Sequence, residues 1–227
     1  MSGRRIRGAA LAAGIATACI AVAPPVDAIA DRTLAGHMLQ HMLLTTAAAP
    51  LIVIGSPVLL ALRVAPAPAR RSLARLGRRR ALHLLASPAL GWTLLPALQA
   101  GVYATPLLAA TERSEPLHAA VHAALLAAGL LFWRPVLGAD PMPRLPALAR
   151  VGYLLAAMPA SDAIGIWLIA SAGVHYPAAV TTGIADQRRA GTIMLSGSFV
   201  LGAAALWAAW SWVRRDELRT ALREGMP

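Results

Sequence analysis

Lysine is absent from this chain, cysteine occurs once, and charged residues are scarce. All 21 basic residues of the 227-residue sequence are arginine, and charged residues make up 14% of it, against about 25% in soluble domains. The single cysteine, Cys19, excludes a disulfide framework or a thiolate metal cluster within the chain. Hydrophobic residues make up 58% and the mean hydropathy is +0.60. The composition therefore excludes an ordinary soluble domain and predicts a polytopic membrane protein.

The apolar runs predict helices rather than strands. They are longer than the ~9–11 residues of a barrel strand, and a helix satisfies its own backbone in lipid. We expect an all-α, polytopic transmembrane helix bundle. It has six spans, or five if the N-terminal segment is cleaved, near residues 8–23, 33–62, 81–108, 117–136, 150–172 and 190–213.

The predicted organisation has three parts. Residues 1–28 form a short first span or a signal peptide, because a basic start, a short apolar run and small residues near Ala28 fit both. We favour a retained span. Residues 29–213 form the bundle, and residues 214–227 form a tail. Within the bundle, Gly55-Ser56-Pro57 predicts a helix end, and Phe132-Trp133-Arg134 predicts an anchor at the membrane interface.

The arginines predict the orientation of the bundle. With the N-terminus inside, four of the 21 arginines fall in outer segments and the other 17 fall in inner ones. The positive-inside rule then places the C-terminal tail in the cytoplasm. The net charge of +11 is explained by these loops, so nucleic acid is not an expected partner. The lipid bilayer is.

Two histidine pairs share the predicted outer face. His37 and His41 are spaced i, i+4, as are His118 and His122, so each pair occupies one side of its helix. Both pairs lie near the outer ends of descending spans. The topology brings five of the six histidines to this face, and only His83 is placed inside.

A small metal site is the favoured reading of this convergence, since imidazole is the commonest protein metal ligand. The candidate ligands are His37, His41, His118, His122 and, as a weaker member, Asp186. Polar neighbours expected to orient the imidazole rings are Gln40, Asp186 and Gln187. Zinc and copper both suit such a set, and haem b between His41 and His122 is the alternative. All four histidines lie at one depth in the predicted bundle, which favours a small ion over haem b.

Other polar residues leave their roles open. Met38 and Met42 would suit Cu(I), but they point about 100° away from the adjacent histidines and fit ordinary packing. Asp162 is either functional or a partner for backbone groups near Pro159. The role of His175 is undetermined. No nucleophile triad, phosphate loop or paired-carboxylate site is present in the sequence, so we expect no enzymatic activity.

Several motifs together resemble the multi-spanning CtaG-type family of cytochrome c oxidase assembly factors. The resemblance covers roughly residues 35–200. It rests on the runs His37-Met38-Leu39-Gln40-His41-Met42-Leu43-Leu44, Ala49-Pro50-Leu51, Gly55-Ser56-Pro57, His118 to His122 with Gly129, Phe132-Trp133 and Pro135, Asp186-Gln187 with Ala190-Gly191 and Met194, and Pro159 with Gly165. The chain departs from the family at Leu195, where tryptophan is common, and in span number, since many members have seven.

The resemblance implies a non-enzymatic role in building cytochrome c oxidase. It implies that copper is bound or delivered at the outer face of the bacterial inner (plasma) membrane. The expected partners are oxidase subunits or their copper chaperones. The ligands carried over are His37, His41, His118 and His122, with Asp186 weaker. Two alternatives stay open: a b-type haem electron-transfer subunit, and a metal-free scaffold or transporter.

Overall fold

The computed structural model describes residues 3–77, 84, 87–138, 144–177 and 180–223. All regular elements in those residues are helical, as predicted. They are α1 (Gly3–Ala21), α2 (Pro24–Ala30), α3 (Leu34–Met42), a π-helical segment (Leu43–Ala48), α4 (Ala49–Gly55), α5 (Pro57–Val64), α6 (Ala67–Gly77), α7 (Pro88–Tyr103), α8 (Leu107–Thr111), α9 (Glu115–Leu137), α10 (Ala147–Ala170) and α11 (Ile184–Arg223).

Four helical stretches are long and apolar enough to cross a membrane. They are Leu34–Arg63, Glu115–Leu137, Ala147–Ala170 and Ile184–Arg214. The pair α1 and α2, bent by 48°, makes a fifth if it counts as one span. The predicted number of six is not confirmed. The predicted third span coincides with α7, whose 16 residues rise only about 24 Å against a hydrocarbon core of about 30 Å.

The N-terminal helix packs closely into the bundle. A Cβ on Gly14 of α1 would lie 2.7 Å from the backbone nitrogen of Ile52. A Cβ on Gly55 would lie 2.6 Å from Leu11. Small residues at these points let two membrane helices approach backbone to backbone. The segment predicted as span or signal peptide is thus an integral helix in this structure, while its cleavage stays an open prediction.

The sequence prediction of a helix end at Gly55-Ser56-Pro57 agrees with the structure. α4 ends at Gly55, Ser56 takes the left-handed conformation (φ 51°), and α5 begins at Pro57. A left-handed serine is uncommon, and Ser56 is fully buried. The predicted interfacial position of Phe132-Trp133 is wrong, because both rings lie in the protein core.

Trp133 is buried because it satisfies a specific backbone group. In the π-helical segment the N–H of Ala49 donates to Leu44 O, one residue further back than in an α-helix. The Ala49 N–H thus bypasses the carbonyl of Thr45, and Pro50, the next residue in line, has no N–H to donate. Trp133 Nε1 donates to this carbonyl instead, at 2.9 Å. The contact fixes α9, which carries one histidine pair, against the segment that follows the other pair.

Candidate metal centre

The four predicted histidines meet in one buried cluster between α3 and α9. Within each helix the rings are in contact one turn apart, with centroids 4.4 Å apart and edge to face for His37 and His41, and 4.3 Å apart and tilted for His118 and His122. Across the helices, the His37 and His118 centroids are 5.1 Å apart and those of His41 and His122 are 5.0 Å apart. All four side chains are at most 8% exposed. The i, i+4 spacing therefore produces the predicted shared faces, and the fold brings the two faces together.

Ring nitrogens in this cluster lack ordinary partners. His37, His41 and His122 each offer a ligand atom, and these atoms lie within 4.8 Å of one another. The Nε2 atoms of His37, His41, His118 and His122 are buried without a hydrogen-bond partner in the residues that the structure describes. Buried polar atoms are normally satisfied, and three or four imidazoles are a standard donor set for zinc or copper. The residues present thus fit a small ion.

Asp186 lies at the start of α3 rather than among the ring nitrogens. Its carboxylate accepts hydrogen bonds from Leu34 N at 2.9 Å, Ala35 N at 3.1 Å, Thr181 Oγ1 at 3.0 Å and Thr182 N at 3.1 Å. The first N–H groups of a helix have no partners within it, and a carboxylate there also favours the helix dipole. The geometry gives Asp186 a positioning role, and its predicted ligand role has no contact to support it.

The helix that carries His37 is thus fixed from both directions. Thr33 caps α3 by accepting from Gly36 N at 3.0 Å, and Asp186 takes the two preceding N–H groups. Because Asp186 belongs to α11, the last long helix sets the position of the first histidine pair. The sequence pattern placed Asp186 on the correct side of the bundle without revealing this contact.

Two residues that sequence reasoning missed contact the rings. The hydroxyl of Tyr103, at the end of α7, lies 2.7 Å from His41 Nδ1. Glu112 Oε1 lies 3.5 Å from His37 Nδ1. Such outer partners fix the orientation of ligand rings. The sequence signal that could have identified Tyr103 and Glu112 is that each is a polar residue at the outer end of a neighbouring predicted span.

Tyr103 is itself held in place by the outer loop. Tyr176 Oη donates to the backbone oxygen of Tyr103 at 2.6 Å, and Tyr103 is 2% exposed. Burial raises the pKa of the Tyr176 phenol above its ordinary value, so this donor stays protonated at neutral pH. With Nδ1 of His41 occupied by Tyr103, Nε2 is the nitrogen left to bind an ion.

Four carboxylates, those of Asp27, Asp31, Glu112 and Glu115, lie at the end of the bundle next to the histidine cluster. Asp27 accepts from Gln40 Nε2 at 2.9 Å, and Glu112 contacts His37. Burial and the negative charges of Asp27, Glu112 and Glu115 raise the pKa of Asp31, while His118 lowers it. These interactions place the four carboxylates near one another and near the histidines, where they favour an approaching cation.

The remaining predicted residues lie elsewhere. The exposed His175 stacks on Trp167 with centroids 4.4 Å apart, so it does not join the cluster. Gln187 bonds the 171–183 loop and α10, accepting from His175 N and donating to Leu168 O and Gly173 O, while Gln40 bonds Asp27. In the described residues, the three side chains expected to orient the rings, Gln40, Asp186 and Gln187, therefore bond other groups instead. His83 lies outside the described residues.

The methionines and the membrane carboxylate have packing partners. Met38 and Met42 belong to the apolar core, and Met42 packs against Gly197 of α11. Asp162 accepts a hydrogen bond from Ser198 and so links α10 to α11. The structure thus supports the packing interpretation for the two methionines, whereas the described partner of Asp162 is the Ser198 side chain and not a backbone group near Pro159.

Comparison with known proteins places the whole bundle in one family. A family model described as cytochrome c oxidase caa3 assembly factor matches residues 3–215. Uncharacterized proteins of Mycobacterium bovis and Mycobacterium tuberculosis are each 33% identical over 207 residues, and one of Mycobacterium leprae is 32% identical over 211. These alignments cover 83% of this chain but 31% of each relative, so the chain spans about a third of their length. No solved structure matches.

Proposed function

Because this chain belongs to the cytochrome c oxidase caa3 assembly factor family, we propose that it holds copper for oxidase assembly in its four-histidine cluster. The ligands are His37, His41, His118 and His122. The recipient is an oxidase subunit or a copper chaperone that serves it. Membership of an assembly-factor family suggests a non-catalytic role.

The observation that carries this proposal is the set of buried Nε2 atoms without partners among the described residues. Leaving a buried polar atom unsatisfied costs about 1–3 kcal/mol, and four such atoms share one cluster. The ligand atoms of His37, His41 and His122 already lie within 4.8 Å of one another, so one ion would reach these three as they stand, and His118, whose ring lies 4.3 Å from that of His122, is the fourth ligand of the proposal. The histidine donor set accommodates either zinc or copper. We propose copper because the family assembles a haem–copper oxidase, which must acquire copper.

The packing of the rings supports a small ion over haem b. Bis-histidine ligation requires two imidazoles on opposite faces of a porphyrin. Here His41 and His122 lie edge to face with centroids 5.0 Å apart, and each also contacts the other histidine of its own helix. A macrocycle between them would have to separate rings that are in contact.

The surrounding residues support uptake from one side. The carboxylates of Asp27, Asp31, Glu112 and Glu115 border the cluster and attract cations. In the orientation predicted from the arginines, this end faces away from the cytoplasm. The proposed location is the bacterial inner membrane with a cytoplasmic C-terminus, so copper is received and released on the outer side.

Metal analysis of purified protein tests the proposal. Full-length protein is loaded with Cu(I) under reducing conditions, desalted and measured by elemental mass spectrometry. We expect about one copper per chain for the wild type and less than about a tenth of that for His41→Ala/His122→Ala, because two ligands of a four-ligand set are gone. Circular dichroism confirms that the variant remains helical.

His175→Ala is the matched control, since it removes a histidine that stacks on Trp167 outside the cluster. It should bind as much copper as the wild type. Equal copper in wild type and double variant contradicts the assignment. A Soret band in the purified protein favours haem instead, and loss of folding in the double variant with no copper in any protein favours the metal-free scaffold.

A further inference from the structure

A cavity lies at the opposite end of the bundle from the histidines. It has a volume of about 540 Å³ and opens at the surface. Its walls include Ile6, Arg7, Ile54, Leu137, Arg144 and Trp207. Along the continuous helix α9, Leu137 lies 15 residues beyond His122, which is about 22 Å. The cavity is thus separate from the metal centre.

The two arginines give this apolar cavity a positive charge. Arg7 and Arg144 both line it, and none of its described lining residues is acidic. Arg7 Nη1 is buried without a hydrogen-bond partner in the residues that the structure describes. Arg7 as a whole is half-buried, and a guanidinium nitrogen is rarely buried unless an anion or another acceptor pairs with it. The occupant indicated by this chemistry carries negative charge.

The walls indicate that the same occupant is also apolar. Ile6, Ile54 and Trp207 are each at least 37% exposed, and they border the cavity on the surface that faces lipid in a spanning bundle. Basic pockets between membrane helices on the cytoplasmic side bind anionic lipid headgroups. In the orientation predicted from the arginines, this end of the bundle lies on that side.

We infer that this cavity is a binding site for an anionic phospholipid of the inner leaflet. The phosphate pairs with Arg7 and Arg144, and the glycerol and upper acyl chains lie along Ile6, Ile54 and Trp207. The inference does not depend on the proposed copper role, because the two sites share no residue. It requires that α1 is present in the mature protein, since Arg7 belongs to it.

Lipid titration followed by native mass spectrometry tests the inference. Delipidated full-length protein is titrated with phosphatidylglycerol, phosphatidylcholine or inorganic phosphate. Each arginine near a membrane surface contributes about 1 kcal/mol, which is about fivefold in affinity. We expect wild type to bind phosphatidylglycerol about 25-fold more tightly than phosphatidylcholine, and Arg7→Gln or Arg144→Gln each to reduce that preference to about fivefold, because one arginine remains. Arg144 is exposed, so its variant stays informative if Arg7→Gln fails to fold.

Arg5→Gln is the matched control, because Arg5 is an exposed residue of the same helix and does not line the cavity. It should keep the full preference. The inference is overturned if Arg5→Gln behaves like Arg7→Gln, or if no variant changes the preference. Phosphate bound as tightly as phosphatidylglycerol would indicate a free-anion site instead. The inference would also be overturned if the intact mass of the purified protein showed that the segment containing Arg7 had been removed.

Discussion

At one end of the bundle, four histidines lie in ring contact and are at most 8% exposed; at the other, Arg7 and Arg144 line a cavity that opens to the surface. The histidine end is organised by hydrogen bonds between distant segments: Asp186 with α3, Tyr103 with His41, and Tyr176 with Tyr103. The arginine end is organised by close backbone packing of α1 on α4.

The difference agrees with what each end is proposed to hold. A small ion needs several donors in fixed positions, so each ligand ring requires outer contacts that orient it. A lipid headgroup is large and mobile, so two charges over an apolar wall are sufficient. Variants at one end should therefore leave the ligand of the other end unaffected.

The largest expected effect is the loss of Asp186. Asp186→Ala removes the acceptor of four hydrogen bonds, three of them from backbone N–H groups. We expect the free energy of unfolding to fall by about 3–5 kcal/mol, measured by denaturation of the metal-free protein in detergent. Asp162→Ala, which removes a carboxylate with a single side-chain contact to Ser198, should cost about 1 kcal/mol.

Copper content distinguishes positioning from ligation in the same variant. If Asp186 only positions α3, the folded fraction of Asp186→Ala still binds copper. If Asp186→Ala instead keeps wild-type stability and binds no copper, Asp186 is a metal ligand.

Tyr103→Phe should separate ring orientation from folding. The variant keeps the aromatic ring and removes the hydroxyl that lies 2.7 Å from His41 Nδ1. Removing such an outer partner weakens metal binding by about 10–100-fold, which a competition titration with a Cu(I) chelator measures. Tyr153→Phe is the control, because Tyr153 donates to Phe132 O away from the cluster. Equal copper affinity in the two variants would contradict the role of Tyr103.

Gly14→Ala should disturb the arginine end alone. Its new Cβ would lie 2.7 Å from a backbone atom of α4, so α1 must shift, at a cost of about 1–2 kcal/mol. We expect lower thermal stability and weaker phosphatidylglycerol binding with unchanged copper. In Gly8→Ala the added Cβ meets nothing within 4 Å, so that control should match the wild type. An unaffected Gly14→Ala would show that α1 is not docked as described.

Glu112→Gln should have the smallest effect. The substitution removes a negative charge 3.5 Å from His37 Nδ1, and we expect copper uptake to slow by about two- to fivefold at low salt, with a smaller difference at high salt. Stopped-flow measurement of Cu(I) uptake provides the rate. Glu217→Gln, at an exposed residue near the end of α11, is the charge-matched control. A rate independent of Glu112 would remove the acidic surface from the uptake route.

The sequence by itself determined the helical membrane fold and the residues that form the cluster. Apolar length and low charge require helices in lipid, and the i, i+4 spacing sets each histidine pair on one face whatever the tertiary arrangement. The bundle topology was enough to place both pairs at the same end. The number of spans was less well determined, because α7 and the bent pair α1 and α2 fall near the length limit.

The tertiary structure alone decided which residues surround the rings. Asp186 bonds α3 across 152 positions of sequence, and Tyr103 meets His41 across 62. Local patterns carry no information on such contacts, since they depend on how helices are rotated and offset when they pack. The same holds for the arginine end: Arg7 and Arg144 share a cavity only because the N-terminal helix packs against α4.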